Sequence, residues 1–304
     1  VFFFWNPNSV MFLVGWCVIL QAIVIFTMLA PMVFEKFGLS DIQKAYDKIV
    51  PWVGILLITF FVFLFSEKFM WTGLTLVLFI ILWFVFKTLV KNSILLLLAI
   101  IGIIISVSHQ TALGALFTLI PEKLSGLWYS PMMQINFLVS AFTLGLAMII
   151  FESTLSAKTF GFGLESNLLS GIRNALPWAL LLTIIIRFYS LNEQTGFNLG
   201  EAASGTQVFS FWLEVIIGLI LPFILLLLPG IKKSANSVFI VACMILFGVM
   251  LNRMNVTWIG IDVVGYKSYF PVISEIFITV GIFSIGLLLF YNISRFFPIF
   301  IRHD

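Results

Sequence analysis

Nine apolar segments, each about as long as a helix needs to cross a bilayer, leave this chain few other architectures. They cover residues 10–34, 49–66, 69–86, 93–117, 132–155, 175–191, 207–228, 237–253 and 271–294. With 62% of 304 residues hydrophobic and 10% charged, a soluble fold could not bury the apolar surface. The expected fold class is therefore all-α: a polytopic membrane protein with about nine transmembrane helices. The connections are short and carry ordinary turn residues, so residues 1–304 read as a single integral membrane domain. The second and third segments are separated only by Glu67 and Lys68, which predicts a tight helical hairpin. Residues 35–48, EKFGLSDIQKAYDK, have balanced charge and read as a solvated loop.

Cation placement gives the chain a direction. Assigning Lys and Arg to alternating connections puts eleven on one side: Lys36, Lys44, Lys48, Lys87, Lys91, Lys158, Arg173, Lys232, Lys233, Arg295 and Arg302. Lys68, Lys123, Lys267 and the helix-end Arg253 fall on the other, and Arg187 lies inside a segment. Cytoplasmic connections are enriched in Lys and Arg, so the first side and the C-terminus at Asp304 are expected in the cytoplasm. The surroundings implied are a cytoplasmic (inner) membrane and its lipid. The chain begins with Val and shows no signal-peptide pattern, so it is expected to lack its true N-terminus.

Several chemistries are excluded by what the chain carries. A net charge of +3 without a basic run gives nucleic acid nothing to bind. Cys17 and Cys243 stand alone in apolar segments with no CxxC, which argues against an iron–sulfur cluster or any metal site. Of two histidines, only His109 lies within an apolar segment, His303 being in the tail. A membrane haem usually takes two histidines, so no haem is expected. Any redox role then has to use a diffusible lipid carrier or a partner's cofactor.

His109 sits in residues 106–131, SVSHQTALGALFTLIPEKLSGLWYSP, where Ser106, Ser108, Gln110 and Thr111 cluster at membrane depth. An ionisable side chain in hydrocarbon is costly and marks a candidate site. Ala112, Gly114 and Ala115 would let another helix approach closely, and Trp128-Tyr129 suits a membrane interface. His109 is about 24 Å along its helix from Ser93, in the outer third of the bilayer. Arg187, Glu214, Arg253 and Glu275 lie near that same outer level on four other helices, while Glu152 is close to the cytoplasmic end. A quinone site needs an apolar cleft, polar groups for the carbonyl oxygens and a proton route. His109 could donate a hydrogen bond and relay a proton. Arg187 with Glu214, and Arg253 with Glu275, could be paired ions. Purely structural roles stay open: an interhelical hydrogen bond at His109, a packing ion pair, snorkelling at Arg253 and Glu275, and water contact at Glu152.

Motifs in order then resemble a known family. WNPNSVMF (5–12), SHQTALGALF (108–117), LSGLWYSP (124–131) and IIFESTL (149–155) are similar to the polysulfide-reductase NrfD type, most closely its HybB/DsrP-like branch. IIRF (185–188), FWLEV (211–215), LNRMNV (251–256) and YFPVISEIFITVG (269–281) continue the match. The resemblance implies NrfD-like four-helix bundles and a membrane subunit with no cofactor of its own. It implies menaquinone or ubiquinone near the periplasmic face, and electron exchange with a periplasmic ferredoxin-like iron–sulfur subunit. Hydrogenase or other respiratory reductase subunits are the wider partners. It also implies about three absent N-terminal helices and an inserted helix pair at 49–91. His109, Gln110 and Arg187 are the expected quinone-binding residues, with His109, Arg187 and Glu214 catalytic. Glu152, Glu214, Arg253 and Glu275 are the expected proton path. Where relatives carry Glu, this chain has Leu13, which favours a second reading as a quinone-independent, proton-conducting anchor. A secondary transporter, marked by helices broken at midplane, is a third.

Overall fold

A computed structural model describes residues 9–66, 69–89, 93–161, 166–198, 203–261 and 271–297. The 67–68 hairpin turn, the Lys91 and Lys267 loops, the first half of the 5–12 motif and the tail with His303 lie outside them. All nine expected segments are helical. They form α1 (Val10–Lys36), α2 (Ser40–Ser66), α3 (Phe69–Leu89), α4 (Ser93–Thr118), α5 (Met133–Phe160) and α6 (Ser166–Thr195). α7 (Gly205–Leu227), a short α8 (Pro229–Lys233), α9 (Ala235–Ile259) and α10 (Ile273–Phe296) follow. Among the described residues seven helices are long and apolar enough to cross a membrane: α1, α4, α5, α6, α7, α9 and α10. α2 and α3 are the other two, α3 with an apolar stretch at Thr72–Val85. The chain is an all-α, multi-pass membrane protein.

One expectation fails at residues 35–48. α1 runs to Lys36 and α2 already starts at Ser40, so only a tight turn around Gly38 (φ +67°) separates them. The charged residues do not melt the helix, because they ring its first, solvated turns. Asp41 lies in that first turn, where the helix dipole favours an anion, and Lys44 bonds it at 3.2 Å. The Tyr46 hydroxyl donates to the Thr27 carbonyl oxygen and ties the start of α2 to α1.

The chain divides into two compact units, residues 1–112 with 272–304, and residues 113–271. In the first, Cys17, Leu20 and Val24 of α1 meet Ile55 of α2, Phe79 and Trp83 of α3, and Leu97, Ile101 and Ile105 of α4. Leu13 packs against this apolar cluster. In the second unit α5, α6, α7 and α9 form a four-helix bundle in which each helix packs on two neighbours. Its core is layered. At one end Ala147, Ile150, Leu176, Leu180, Leu226 and Val241 make an apolar cluster. At the other, Phe117, Trp128, Phe137, Leu191, Phe211 and Val256 make a second. Between them lies a polar layer. Lipid is as apolar as Leu, so hydrogen bonds and close packing specify helix register more than burial does.

Both α7 and α9 contain a π turn. In α7 it spans Ile216–Ile220, and the Leu221 N–H bonds the Ile216 carbonyl. Pro222 supplies the cause: it has no N–H to give Gly218, and its ring crowds the carbonyl four residues back. In α9 the turn spans Asn255–Ile259, closed by Gly260 N–H to Asn255 O at 2.6 Å. Of the small residues of α4, Gly114 acts as expected: a Cβ on it would stand 2.6 Å from the backbone of Gln134 at the start of α5.

Candidate functional site

The polar layer of the bundle is built around one carboxylate. Glu214 of α7 is 2% exposed and accepts four hydrogen bonds. Oε1 takes Arg187 Nη2–H at 2.9 Å and Asn252 Nδ2–H at 2.8 Å. Oε2 takes Trp128 Nε1–H at 3.0 Å and Asn255 Nδ2–H at 2.8 Å. Burying a carboxylate is tolerable only with an opposite charge and filled lone pairs, and both conditions are met. The amide orientations are set by what their oxygens accept. Asn255 Oδ1 takes Ser210 Oγ–H at 2.7 Å, and Asn252 Oδ1 takes Arg253 Nη1–H at 3.4 Å.

Helix register explains why these groups meet. α7 and α9 touch backbone to backbone at Gly218 and Gly248. The two helices are antiparallel, so one turn from the crossing in opposite sequence directions brings Glu214 beside Asn252. Another turn pairs Ser210 with Asn255, and Gln207 Nε2–H reaches the Ile259 carbonyl at 3.0 Å. The loop before α5 is fastened to the same end by Ser125 N–H to Gly260 O at 2.7 Å, which lays Trp128 against Gly260. Trp128 thus turns into the bundle and does not face outward. It is 1% exposed and spends its one donor on Glu214.

The expected Arg187–Glu214 pair is present, with side chains 8% and 3% exposed. The guanidinium lies 5.0 Å from the Phe211 ring centre, a favourable cation–π contact. Arg253 joins the layer through Asn252 and lies 3.6 Å from the Phe137 ring centre. Its Nη2–H groups reach Ser140 Oγ at 2.8 Å and Phe137 O at 3.2 Å. It does not close its helix, because the π turn carries α9 on to Ile259. Glu152 is exposed on α5. Glu275 is exposed at the start of α10, where Oε2 accepts the Val272 N–H at 3.0 Å. His109 and Gln110 belong to the other unit, both partly buried on α4. His109 Nδ1 is buried without a hydrogen-bond partner. Sequence reasoning missed the roles of Trp128, Asn252 and Asn255. The available signal was two amides three residues apart in an apolar helix, inside the LNRMNV motif.

The comparisons with known proteins agree with the motifs. The model of the family described as polysulphide reductase, NrfD matches residues 48–265. A curated protein of Nitratidesulfovibrio vulgaris is 27% identical over 216 residues, 68% of this chain and 55% of that protein. A probable Ni/Fe-hydrogenase 2 b-type cytochrome subunit of Escherichia coli is 27% identical over 202 residues, 66% of this chain and 51% of its own length. The chain therefore spans about half the length of these curated relatives. No solved structure matches it. With the family model covering well over half of its residues, this chain belongs to the NrfD polysulphide reductase family.

Proposed function

We propose that the chain is the membrane-anchoring, quinone-interacting subunit of a respiratory oxidoreductase complex. It exchanges reducing equivalents between a periplasmic iron–sulfur partner and menaquinone or ubiquinone, with proton uptake or release at the quinone. The placement is the inner membrane, with the C-terminus in the cytoplasm on the Lys and Arg asymmetry. Family membership supports the class, and one relative bears the name of a probable Ni/Fe-hydrogenase 2 b-type cytochrome subunit. The observation that carries the quinone reading is His109 Nδ1, a buried polar atom without a partner on an apolar helix. Such an atom is costly unless a ligand or water completes it, and a quinone carbonyl oxygen fits it by chemistry. His109 then holds that oxygen and shuttles its proton, with Gln110 beside it.

Replacing His109 by Ala should lower quinone-linked turnover of the complex about 10²–10⁴-fold, the usual contribution of a positioned acid–base group. Electron transfer from the iron–sulfur partner to a soluble dye should survive. Full quinone-linked activity in the variant would defeat the assignment.

The quinone-independent reading is favoured by one observation: Leu13, where the motif resemblance implies an acid, packs against an apolar cluster. Under it, the extracted complex contains no quinone and quinone-site inhibitors leave activity unchanged. The transporter reading loses ground, because α7 continues through its π turn to Leu227 instead of breaking.

Haem is tested separately, since "b-type cytochrome" is part of the Escherichia coli relative's name. His109 is the sole histidine among the described residues, and two axial ligands are the usual need of a membrane haem. The isolated chain is expected to show no Soret band; stoichiometric haem b would overturn this.

A further inference from the structure

We propose that the pocket beside Arg187 is an internal water site, and that Glu214 is its fixed counter-ion, not a carrier of protons. Arg187, Glu214, Asn136, Ser140, Thr183 and Asn252 line this pocket with apolar neighbours, and about 30 Å³ is left inside it for a guest. A water needs roughly 10–15 Å³ on that measure, so one or two fit. Ligand pockets for drug-sized molecules are about ten to thirty times larger, about 300–1,000 Å³, so the pocket suits water and not a quinone ring.

The unsatisfied donors of the pocket define what the guest must do. Arg187 Nη2–H is spent on Glu214, but its Nε–H is buried with no partner. The layer holds two guanidinium groups, Arg187 and Arg253, and one carboxylate, which only Arg187 touches, so the unfilled need is for a lone pair. Water supplies it, and can donate in turn to hydroxyl oxygens of the wall. One of these, Thr183 Oγ1, lies 2.8 Å from Thr143 Oγ1, which extends the hydrogen-bonded run by a further residue. Glu214 is closed to this traffic. All four of its positions are filled by Trp, Arg and Asn N–H groups, none of which can accept a proton from it. A proton placed on either oxygen would have to displace one of those donors.

Water at Arg187 and quinone at His109 are independent, and one can fail without the other. A high-resolution map of the full-length protein in its complex should show ordered water within hydrogen-bond distance of Arg187 Nε. An empty pocket, a lipid chain, or an anomalous peak after bromide exchange would overturn the site. Hydroxyl-radical footprinting of the same complex gives a second readout. Met133 lines the pocket although it is 1% exposed, so radicals formed from bound water should oxidise it above background. Met133 remaining at background would overturn the proposal. For Glu214, infrared difference spectra recorded during turnover should contain no protonated-carboxyl band that disappears in Glu214→Gln. Such a band would show that the carboxylate does carry the proton.

Discussion

Glu214→Leu should destabilise the protein by about 4 kcal/mol or more, and Arg187→Met by clearly less, about 1.5–3 kcal/mol. A simple ion pair would predict similar losses for either partner. The asymmetry follows from the hub. Removing the carboxylate leaves a buried guanidinium and three N–H groups, on Trp128, Asn252 and Asn255, with nothing to donate to. Breaking a buried pair from one side costs about 3–5 kcal/mol, and each orphaned buried donor adds to that, though not additively. Removing Arg187 instead leaves the carboxylate with its other three donors and with Arg253 as a second cation in the same layer, reached through Asn252, so the loss is smaller and mainly that of one charge-assisted hydrogen bond. Reversible unfolding of the full-length protein in mixed micelles would measure both. Arg187→Met costing as much as Glu214→Leu would show that the amides and the indole contribute little. Added salt should not close the gap, because screening acts weakly on buried groups.

How much of this site the sequence carries depends on the kind of residue. Arg187 and Glu214 are legible because an ionisable group in an apolar segment is expensive, and their distances from the helix ends put them at one level. Trp128, Asn252 and Asn255 carry no such signal. Their amide and indole groups are ordinary near a membrane surface, and they meet Glu214 from positions 38 to 86 residues away. The loop assigned to 35–48 fails for a different reason. Charge balance says only that a segment meets water, and a helix end meets water as readily as a loop does. The division into two units has no mark in the sequence, since the break falls within the continuous helix α4. The two π turns differ in the same way. Pro222 announces the first through its missing N–H, while nothing local announces the second.

The crossing of α7 and α9 sets the geometry of the hub, and a single side chain there should undo it. A Cβ built on Gly248 stands 2.1 Å from the Gly218 Cα, and one on Gly218 stands 2.4 Å from the Gly248 Cα. Carbon atoms rest about 3.5–4.0 Å apart, and the obstacle is main chain, which cannot rotate aside. Gly248→Val must therefore push the helices apart by more than an ångström. Asn252, one turn away, would then lose its 2.8 Å bond to Glu214, and the Ser210–Asn255 bond would stretch with it. Overpacking of this kind costs about 1–3 kcal/mol before the lost hydrogen bonds, so about 3 kcal/mol or more is expected in all. Gly145→Ala on α5 is the control. Nothing lies within 4 Å of its Cβ, and a helical Gly→Ala change there should be neutral or stabilising by about 0.5–1 kcal/mol. The Gly218→Ala/Gly248→Ala double variant supplies the decisive comparison. Once the first methyl has separated the helices, the second meets less resistance, so the pair should cost less than the sum of the singles. Strictly additive losses would mean that the glycines act on their own helices, and that the crossing does not hold Glu214 in place.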